Sequence, residues 1–332
     1  MATIIDVAKR AGVSVGTVSN VINNKVNVSQ EKRERVLKAI KELNFQPSGT
    51  ARMLKRGRTN SIALLIPQIS KPFYSMIIEG AESAASENGY DLIFCRTHRD
   101  PKIEEKFLNL IGEKRVDGVI LVSIEIDDKA LDVVQENKYP VVLLERHINN
   151  SNIPSILIDN QSGAFKAVKY LIELGHRDII FINGPTTTIP GMMRLKGYIE
   201  ALSKYNLPFN KDLYREGEFD INNGYKGITE ILKNHKATAV FAGSDTIAMG
   251  VFNGLQNMGL RVPEDISVIG FDDIYLASML NPPLTTIRQP AFEMGYKAVE
   301  VLIDTINGKN RNETVEILET ELIIRKSCKS LY

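Results

Sequence analysis

The fold of this chain is decided by residues 3–23, which read TIIDVAKRAGVSVGTVSNVIN. Thr3 and Asp6 have the spacing of a capping box, which predicts that a helix begins directly after Thr3. Gly12 stands where a left-handed C-cap would end that helix, and Ser14 is a suitable N-cap for a second helix. Two short helices joined by a glycine-containing turn are typical of a helix-turn-helix, although an ordinary pair of surface helices shares the pattern.

The second of these helices presents a small, polar outer face. Val18, Val21 and Ile22 repeat at the spacing of one buried face, and Gly16 and Asn20 lie opposite them. In a helix-turn-helix the second helix enters the major groove of DNA. We therefore predict DNA contacts from Thr3, Ser14, Val15, Gly16, Thr17, Asn20 and Asn23.

Two further helices are predicted directly after this motif. Ser29 can cap a third helix that runs to about Leu43 and closes a small core over the first two. Pro47 ends that unit, and Ser48 can cap one more short, basic helix that Gly57 stops. This last segment is too short to be a stable helix alone, and it stands where a linker is expected.

Charge is distributed unevenly along the chain. Residues 1–58 hold 12 Lys and Arg against 4 Asp and Glu, a net of +8, whereas the whole chain has 41 against 40. The remaining residues therefore hold 29 against 36, a net of −7. A basic head is the electrostatic footprint of a phosphate-binding module, and an acidic body is repelled by DNA. We expect DNA contact to be confined to the head.

Composition excludes several classes of protein. With 332 residues, 43% of them hydrophobic, the chain is long enough for two or three compact units. Its two cysteines give no disulfide framework, and Cys95 lies in an apolar run that predicts a buried thiol. The first helix begins where a signal peptide would stand, and no apolar stretch is long enough to span a membrane. We therefore expect a cytoplasmic, nucleoid-associated protein.

Beyond residue 60, apolar runs alternate with amphipathic segments. Uninterrupted apolar strands between helices indicate parallel sheets that are covered on both faces. The pattern starts again near residue 155, which predicts two doubly wound sheets in series and an α/β fold class. The predicted strands are IALLIP (62–67), YDLIFC (90–95), DGVILV (117–122), PVVLLE (140–145), SILIDN (155–160), DIIFI (178–182), AVFAG (239–243) and SVIGF (267–271).

The sequence resembles the LacI/GalR family of bacterial repressors, and the resemblance continues through the chain. It rests on Asp6-Val7-Ala8, Ala11-Gly12-Val13-Ser14, Thr17-Val18-Ser19, Val21-Ile22-Asn23, Val36, Leu43-Asn44-Phe45, Pro47 and Ala51-Arg52-Met53-Leu54. It implies a helix-turn-helix head at 1–58 and an effector-binding body at 59–332 with the fold of type I periplasmic sugar-binding proteins. The body would comprise a first subdomain, about 60–159 plus 291–321, and a second, about 160–290 plus 322–332.

The resemblance also implies roles for the linker and the cleft. In the family, a segment matching about 48–57 folds into a hinge helix in the minor groove, where a leucine matching Leu54 wedges between base pairs. The implied hinge contacts are Ser48, Ala51, Arg52, Leu54 and Lys55. The candidate effector residues stand mostly just past strand ends, and several resemble those of ribose-type members: Ser70, Phe73, Tyr74, Arg146, Arg194, Phe219, Ser244, Asp272 and Gln289, the last near the third crossover. Ser244 and Glu145 depart from the family's usual Asn and Asp.

The function we expect is that of a homodimeric repressor of a carbohydrate-utilisation operon. Two heads would read a pseudo-palindromic operator, and a sugar or sugar phosphate in the cleft would control operator affinity. Two alternatives stay open: a catabolite-control regulator answering to a protein co-effector, and a purine-type regulator that depends on a co-repressor. Common catalytic motifs are absent, and the four histidines lack metal-ligand spacing, so we expect no enzyme, cofactor or metal site.

Overall fold

The computed structural model of the chain describes residues 2–22, 27–45, 58–122, 139–148, 151–309 and 314–332, and the single residues 134 and 137. The chain divides into two compact units, residues 1–59 and 60–332. Asn23 and the predicted hinge segment 48–57, with its five candidate contacts, lie outside the described residues. No helix among the described residues is long and apolar enough to cross a membrane.

The described elements follow the predicted alternation. The helices are α1 (Ile4–Ala11), α2 (Val15–Ile22), α3 (Gln30–Glu42), α4 (Pro72–Glu87), α5 (Pro101–Gly112), α6 (Asn160–Glu173), α7 (Ile189–Lys204), α8 (Ile221–Asn234), α9 (Asp245–Asn257) and α10 (Ala291–Ile306). The strands are β1 (Ser61–Ile66), β2 (Asp91–Arg96), β3 (Gly118–Val122), β4 (Val141–Leu144), β5 (Ser155–Ile158), β6 (Ile179–Asn183), β7 (Tyr214–Glu216), β8 (Ala239–Ala242), β9 (Ser267–Asp272), β10 (Thr285–Arg288), β11 (Val315–Leu318) and β12 (Glu321–Ile323).

The first unit contains α1, α2 and α3 around a small apolar core. Its buried residues are Val7, Ala8, Ala11, Val18, Val21, Val36, Ala39 and Phe45. The helix α3 begins directly after Ser29, as predicted, but the Ser29 side chain makes no capping hydrogen bond. Arg35 of α3 instead fastens the turn between α1 and α2, because its Nη2 donates to the carbonyls of Ala11 (2.5 Å) and Gly12 (3.2 Å).

Two six-stranded sheets form the second unit, and they confirm the predicted α/β fold class. The first sheet has the order β11-β5-β4-β3-β1-β2 and is parallel throughout. The second has the order β12-β10-β9-β8-β6-β7, in which only β12 runs antiparallel to its neighbour. We call the parts of the chain built on these sheets the first lobe and the second lobe. The strand at 155–158, where the sequence pattern starts again, belongs to the first sheet.

The chain passes between the lobes three times in the described residues, after β5, after β10 and after β11. From the sequence, Gln289 is expected near the third crossover. In the structure Gln289 follows β10 and therefore lies at the second crossover. After that crossover α10 packs tightly on α4 of the first lobe. A Cβ atom on Gly80 would lie 1.9 Å from the carbonyl oxygen of Phe292, so only glycine allows this approach.

Candidate functional site

The helix-turn-helix is held by the local contacts that its sequence predicts. The Thr3 amide donates to Oδ2 of Asp6 (2.9 Å), and the Asp6 amide donates to Oγ1 of Thr3 (3.3 Å), which completes the capping box. The Thr3 hydrogen bonds also lower the pKa of Asp6. Gly12 has a left-handed φ of 63° and ends α1. At the start of α2 the Ser14 hydroxyl accepts from the Thr17 amide at 3.2 Å.

The outer face of α2 leaves the predicted DNA-contacting residues accessible. Val15 keeps 42% of its surface exposed, and Gly16 is also exposed, whereas Asn20 is half-buried. Val18 and Val21 point into the core of the head. The helix contains no charged residue, so base contacts from this face would be short, neutral ones. Thr3 and Ser14 are exposed and Thr17 is half-buried.

A cavity with an empty volume of ≈ 440 Å³ lies between the two lobes. Seven of the nine predicted effector residues line it: Phe73, Tyr74, Arg194, Phe219, Ser244, Asp272 and Gln289. The four lining residues outside the predicted set are Lys71, Glu145, Pro190 and Thr246.

Ser70 and Arg146, the other two predicted residues, do not line this cavity. Ser70 is exposed, and its hydroxyl accepts from Nε2 of Gln68 at 3.2 Å. Arg146 is only 2% exposed, in the interior of the protein. Its neighbour Glu145 has a left-handed φ of 62°, so the chain turns directly after β4 and Glu145 lines the cavity instead. Both residues stand just past the end of β4, so their position in the sequence does not distinguish them.

Arg194 is the central polar group of the cavity. Its Nε donates to Oδ1 of Asn160 (2.9 Å), and its Nη1 donates to the carbonyl of Gly243 (2.5 Å). Its Nη2 lies 3.7 Å from Oδ1 of Asp272, and its Cζ lies 3.8 Å from the ring centroid of Phe271. These partners fix the guanidinium plane, and an orientated Arg is suited to binding paired ligand oxygens.

Two buried carboxyl groups face the cavity from opposite lobes. Burial raises the pKa of Glu145 to about 7 and that of Asp272 to about 6, although the nearby Arg194 lowers both. Asp272 accepts a hydrogen bond from Nε2 of Gln289 at 2.5 Å. Perturbed carboxyl groups in a cleft are typical of binding and catalytic sites. Here they can accept hydrogen bonds from hydroxyl groups, and a protonated Glu145 can also donate one.

Phe219 supplies an aromatic wall. The ring packs against the backbone at Gly184, where a Cβ atom would lie 2.1 Å from it. Arg194 of the second lobe and Lys71 of the first approach it, with Cζ and Nζ each 5.5 Å from the ring centroid. Burial lowers the pKa of Lys71. An aromatic face beside orientated polar groups suits a ligand with one apolar face and several hydroxyls.

Ser244, which lines the cavity, and its buried neighbour Asp245 both make structural hydrogen bonds. The Ser244 hydroxyl caps α9 by accepting from the Ile247 amide at 3.1 Å. Asp245 is fully buried, and it accepts from the Thr286 hydroxyl (2.5 Å) and the Ile274 amide (2.9 Å). Nowhere in the described ranges do three His, Cys, Asp or Glu side chains come close enough together to hold a metal ion.

Comparison with known protein families gives two matches. The profile described as "Bacterial regulatory proteins, lacI family" matches residues 3–48, and "Periplasmic binding protein-like domain" matches residues 168–328. Among curated proteins, the chain is 38% identical over 333 residues to the HTH-type transcriptional repressor PurR of Histophilus somni (strain 129Pt). That alignment covers 100% of both chains.

Two solved structures share the fold over nearly the full length. The transcriptional regulator CelR–cellobiose complex has 34% sequence identity and a TM-score of 0.76, covering 98% of this chain and 100% of that one. The lac repressor dimer bound to operator and the anti-inducer ONPF has 28% identity and a TM-score of 0.88, covering 99% of each chain. The similarity therefore extends over both the head and the body.

Proposed function

Because this chain belongs to the LacI family and is a DNA-binding transcriptional repressor, not an enzyme, we propose that it represses a carbohydrate-utilisation operon in response to a small sugar. The observation that carries the sugar proposal is the cavity of Arg194, Asp272 and Phe219. An orientated guanidinium and a buried carboxyl group can bind the vicinal hydroxyls of a sugar, and an aromatic ring can pack against the apolar face of the sugar ring. The similarity to a regulator solved with cellobiose supports the same ligand class.

The head at 1–58 is the proposed operator-reading part. Val15 can contact a thymine methyl group, and Asn20 can pair with adenine in the major groove. The hinge segment at 48–57, with Leu54 as its apolar wedge, is proposed to bind the minor groove. The acidic body would contribute no DNA contact, so a fragment beginning near Thr59 should bind the effector and fail to bind DNA.

Exposed apolar side chains support a homodimer. Phe94 and its neighbour Ile93 are 45% and 42% exposed on β2, which is the edge strand of the first sheet. In the second lobe Tyr275 and Met279 are 64% and 72% exposed. An exposed apolar edge strand can pair with another chain, and exposed apolar patches mark interaction surfaces. A dimer also places two heads on the two halves of a pseudo-palindromic operator.

A purine-type regulator that requires a co-repressor is the second candidate. The observation in its favour is the 38% identity with PurR over the whole chain. Stacking on Phe219 would serve a flat base as well as a sugar ring. The two candidates differ at the polar groups, since Arg194 and Asp272 suit the paired hydroxyls of a sugar.

Thermal unfolding of the full chain with a ligand panel tests the proposal. The panel contains D-ribose, cellobiose, glucose 6-phosphate, hypoxanthine and guanine, each in excess. A ligand that binds only the folded state raises the midpoint by mass action, and in excess ligand the stabilisation grows with the logarithm of the ligand concentration. The proposal predicts a shift with at least one sugar. If only the purines raise the midpoint of unfolding, the result would favour the purine-type regulator. If no ligand raises it, the result would favour a regulator that answers to a protein co-effector.

A further inference from the structure

One ion pair joins the lobes at the rim of the cavity. Nη1 of Arg99, in the first lobe, donates to Oε2 of Glu218, in the second lobe, at 3.1 Å. The two residues are 119 positions apart in sequence, and we call them the rim pair. The Arg99 side chain is 22% exposed and that of Glu218 is 60% exposed, so solvent reaches the contact, and the residue after Glu218 is the cavity-lining Phe219.

Glu218 of the rim pair lies in the hydrogen-bonded connection between β7 and α8. The Gly217 amide donates to the carbonyl of Asn183 at 3.2 Å. Nδ2 of the buried Asn223 donates to the carbonyls of Asn183 and Glu218, both at 2.9 Å. The next residue, Phe219, forms the aromatic wall of the cavity. Glu218 is therefore held by hydrogen bonds directly before a ring that lines the cavity.

Arg99 of the rim pair lies in a strained loop after β2. His98 and Arg99 are consecutive residues with left-handed φ angles of 58° and 59°, and neither is glycine. Such angles cost free energy and persist where the surrounding contacts determine them, which is often at ligand sites. Lys71, from the same lobe, reaches the Phe219 ring. Two cationic side chains of the first lobe therefore contact the second lobe here. Arg99 contacts Glu218, and Lys71 contacts the ring of Phe219.

We propose that Arg99 and Glu218 are positioning residues for the effector, because their ion pair holds the Phe219 wall of one lobe against the Lys71 side of the other. The inference rests on the proposed effector function of the cavity. A closed cleft brings the groups that bind the ligand within reach of each other, and the rim pair favours that state. Because both side chains are partly exposed, the pair is screened by salt and its effect is modest.

The test compares Glu218→Gln, Arg99→Gln and the charge-swapped double variant R99E/E218R with the parent. Glu230→Gln is the matched control, since Glu230 forms an ion pair with Arg215 wholly within the second lobe. The first readout is the dissociation constant for cellobiose and D-ribose, measured by calorimetry at low and high salt. The second is hydrogen exchange of backbone amides in residues 71–75 and 217–224 of the ligand-free chain.

Each single variant should weaken sugar binding by about two- to fivefold and remove its salt dependence. Both segments should exchange faster, and R99E/E218R should return affinity and exchange towards parental values. The inference is overturned if the single variants behave like Glu230→Gln in both readouts, or if the swap restores neither. If no sugar binds the parent, the proposed ligand class fails, and the exchange result alone then decides on the rim pair.

Discussion

Oδ1 of Asp272 accepts a 2.5 Å hydrogen bond from Nε2 of Gln289, at the point where the chain leaves the second lobe for the first. The adjacent residues form a parallel contact, in which Nε of Arg288 donates to Oδ2 of Asp273 at 2.8 Å. Two consecutive aspartates thus hold two consecutive residues of the crossover. Asp272 and Gln289 both line the cavity, so one hydrogen-bonded pair faces the ligand space and joins the second lobe to the crossover.

Asp273 should stabilise this corner of the protein. It has a left-handed φ of 57° and pairs with Nη2 of Arg325 at 2.7 Å as well as with Arg288. Asp273→Asn keeps a residue that tolerates the backbone angle and removes the charge. We expect the free energy of unfolding in urea to fall by about 1–3 kcal/mol. Asp265→Asn, at an exposed i,i+4 pair with Arg261, should cost less than Asp273→Asn, because solvent screens that pair. Equal losses would argue against a special role for Asp273.

Glu145 should make stability depend on pH. Its pKa is raised to about 7 in the folded chain, above its ordinary value of 4.5, so the folded state holds its proton more tightly than the unfolded state. The stability that this proton contributes is fully present below the ordinary pKa of 4.5, and it is lost as the pH rises through the folded-state pKa of about 7. Glu145→Gln cannot ionise. Its midpoint of thermal unfolding, relative to the parent, should therefore rise between pH of about 5 and about 8. A constant difference across that range would contradict the raised pKa.

Gly184 should be required for the aromatic wall. A Cβ atom at this position would lie 2.1 Å from the Phe219 ring, so Gly184→Ala must displace the ring. We expect a cost of about 1–3 kcal/mol in stability and a loss of effector affinity measured by calorimetry. Gly16→Ala is the control, because its added Cβ meets its nearest neighbour at an ordinary 3.7 Å. Unchanged affinity in Gly184→Ala would mean that Phe219 does not contact the ligand.

Asn20 should read a base in the operator. Asn20→Ala is expected to cost about 1–3 kcal/mol of operator affinity and to relax preference at one position of each half-site. The measurement is a titration of operator duplexes that differ at single positions, at one fixed salt concentration, since salt alone changes affinity strongly. An equal loss on every duplex would instead assign Asn20 to the phosphate backbone.

The sequence predicted the features that depend on residues close together in the chain, such as helix caps and apolar strands. The capping pair Thr3 and Asp6 and the C-cap Gly12 act within a few residues, so they define the head. Apolar runs identify buried parallel strands, and residues past their ends, such as Asp272, meet at one edge. Sequence position did not separate Glu145 from Arg146, because both directly follow β4 and only the folded structure shows that Glu145 lines the cavity. The Arg99–Glu218 contact depends on how the lobes close, which no local pattern contains.

We propose that a sugar in the cavity controls operator affinity through Asp272 and its neighbours. The most direct test titrates a duplex, selected by the parent from a random-sequence library, with and without the sugar that gives the largest thermal shift. The parent and Asp272→Asn are compared at one salt concentration. We predict that the sugar changes the operator affinity of the parent and has no effect on Asp272→Asn, whose sugar-free affinity equals that of the parent. An undiminished sugar effect in Asp272→Asn would show that Asp272 does not couple the cavity to DNA binding.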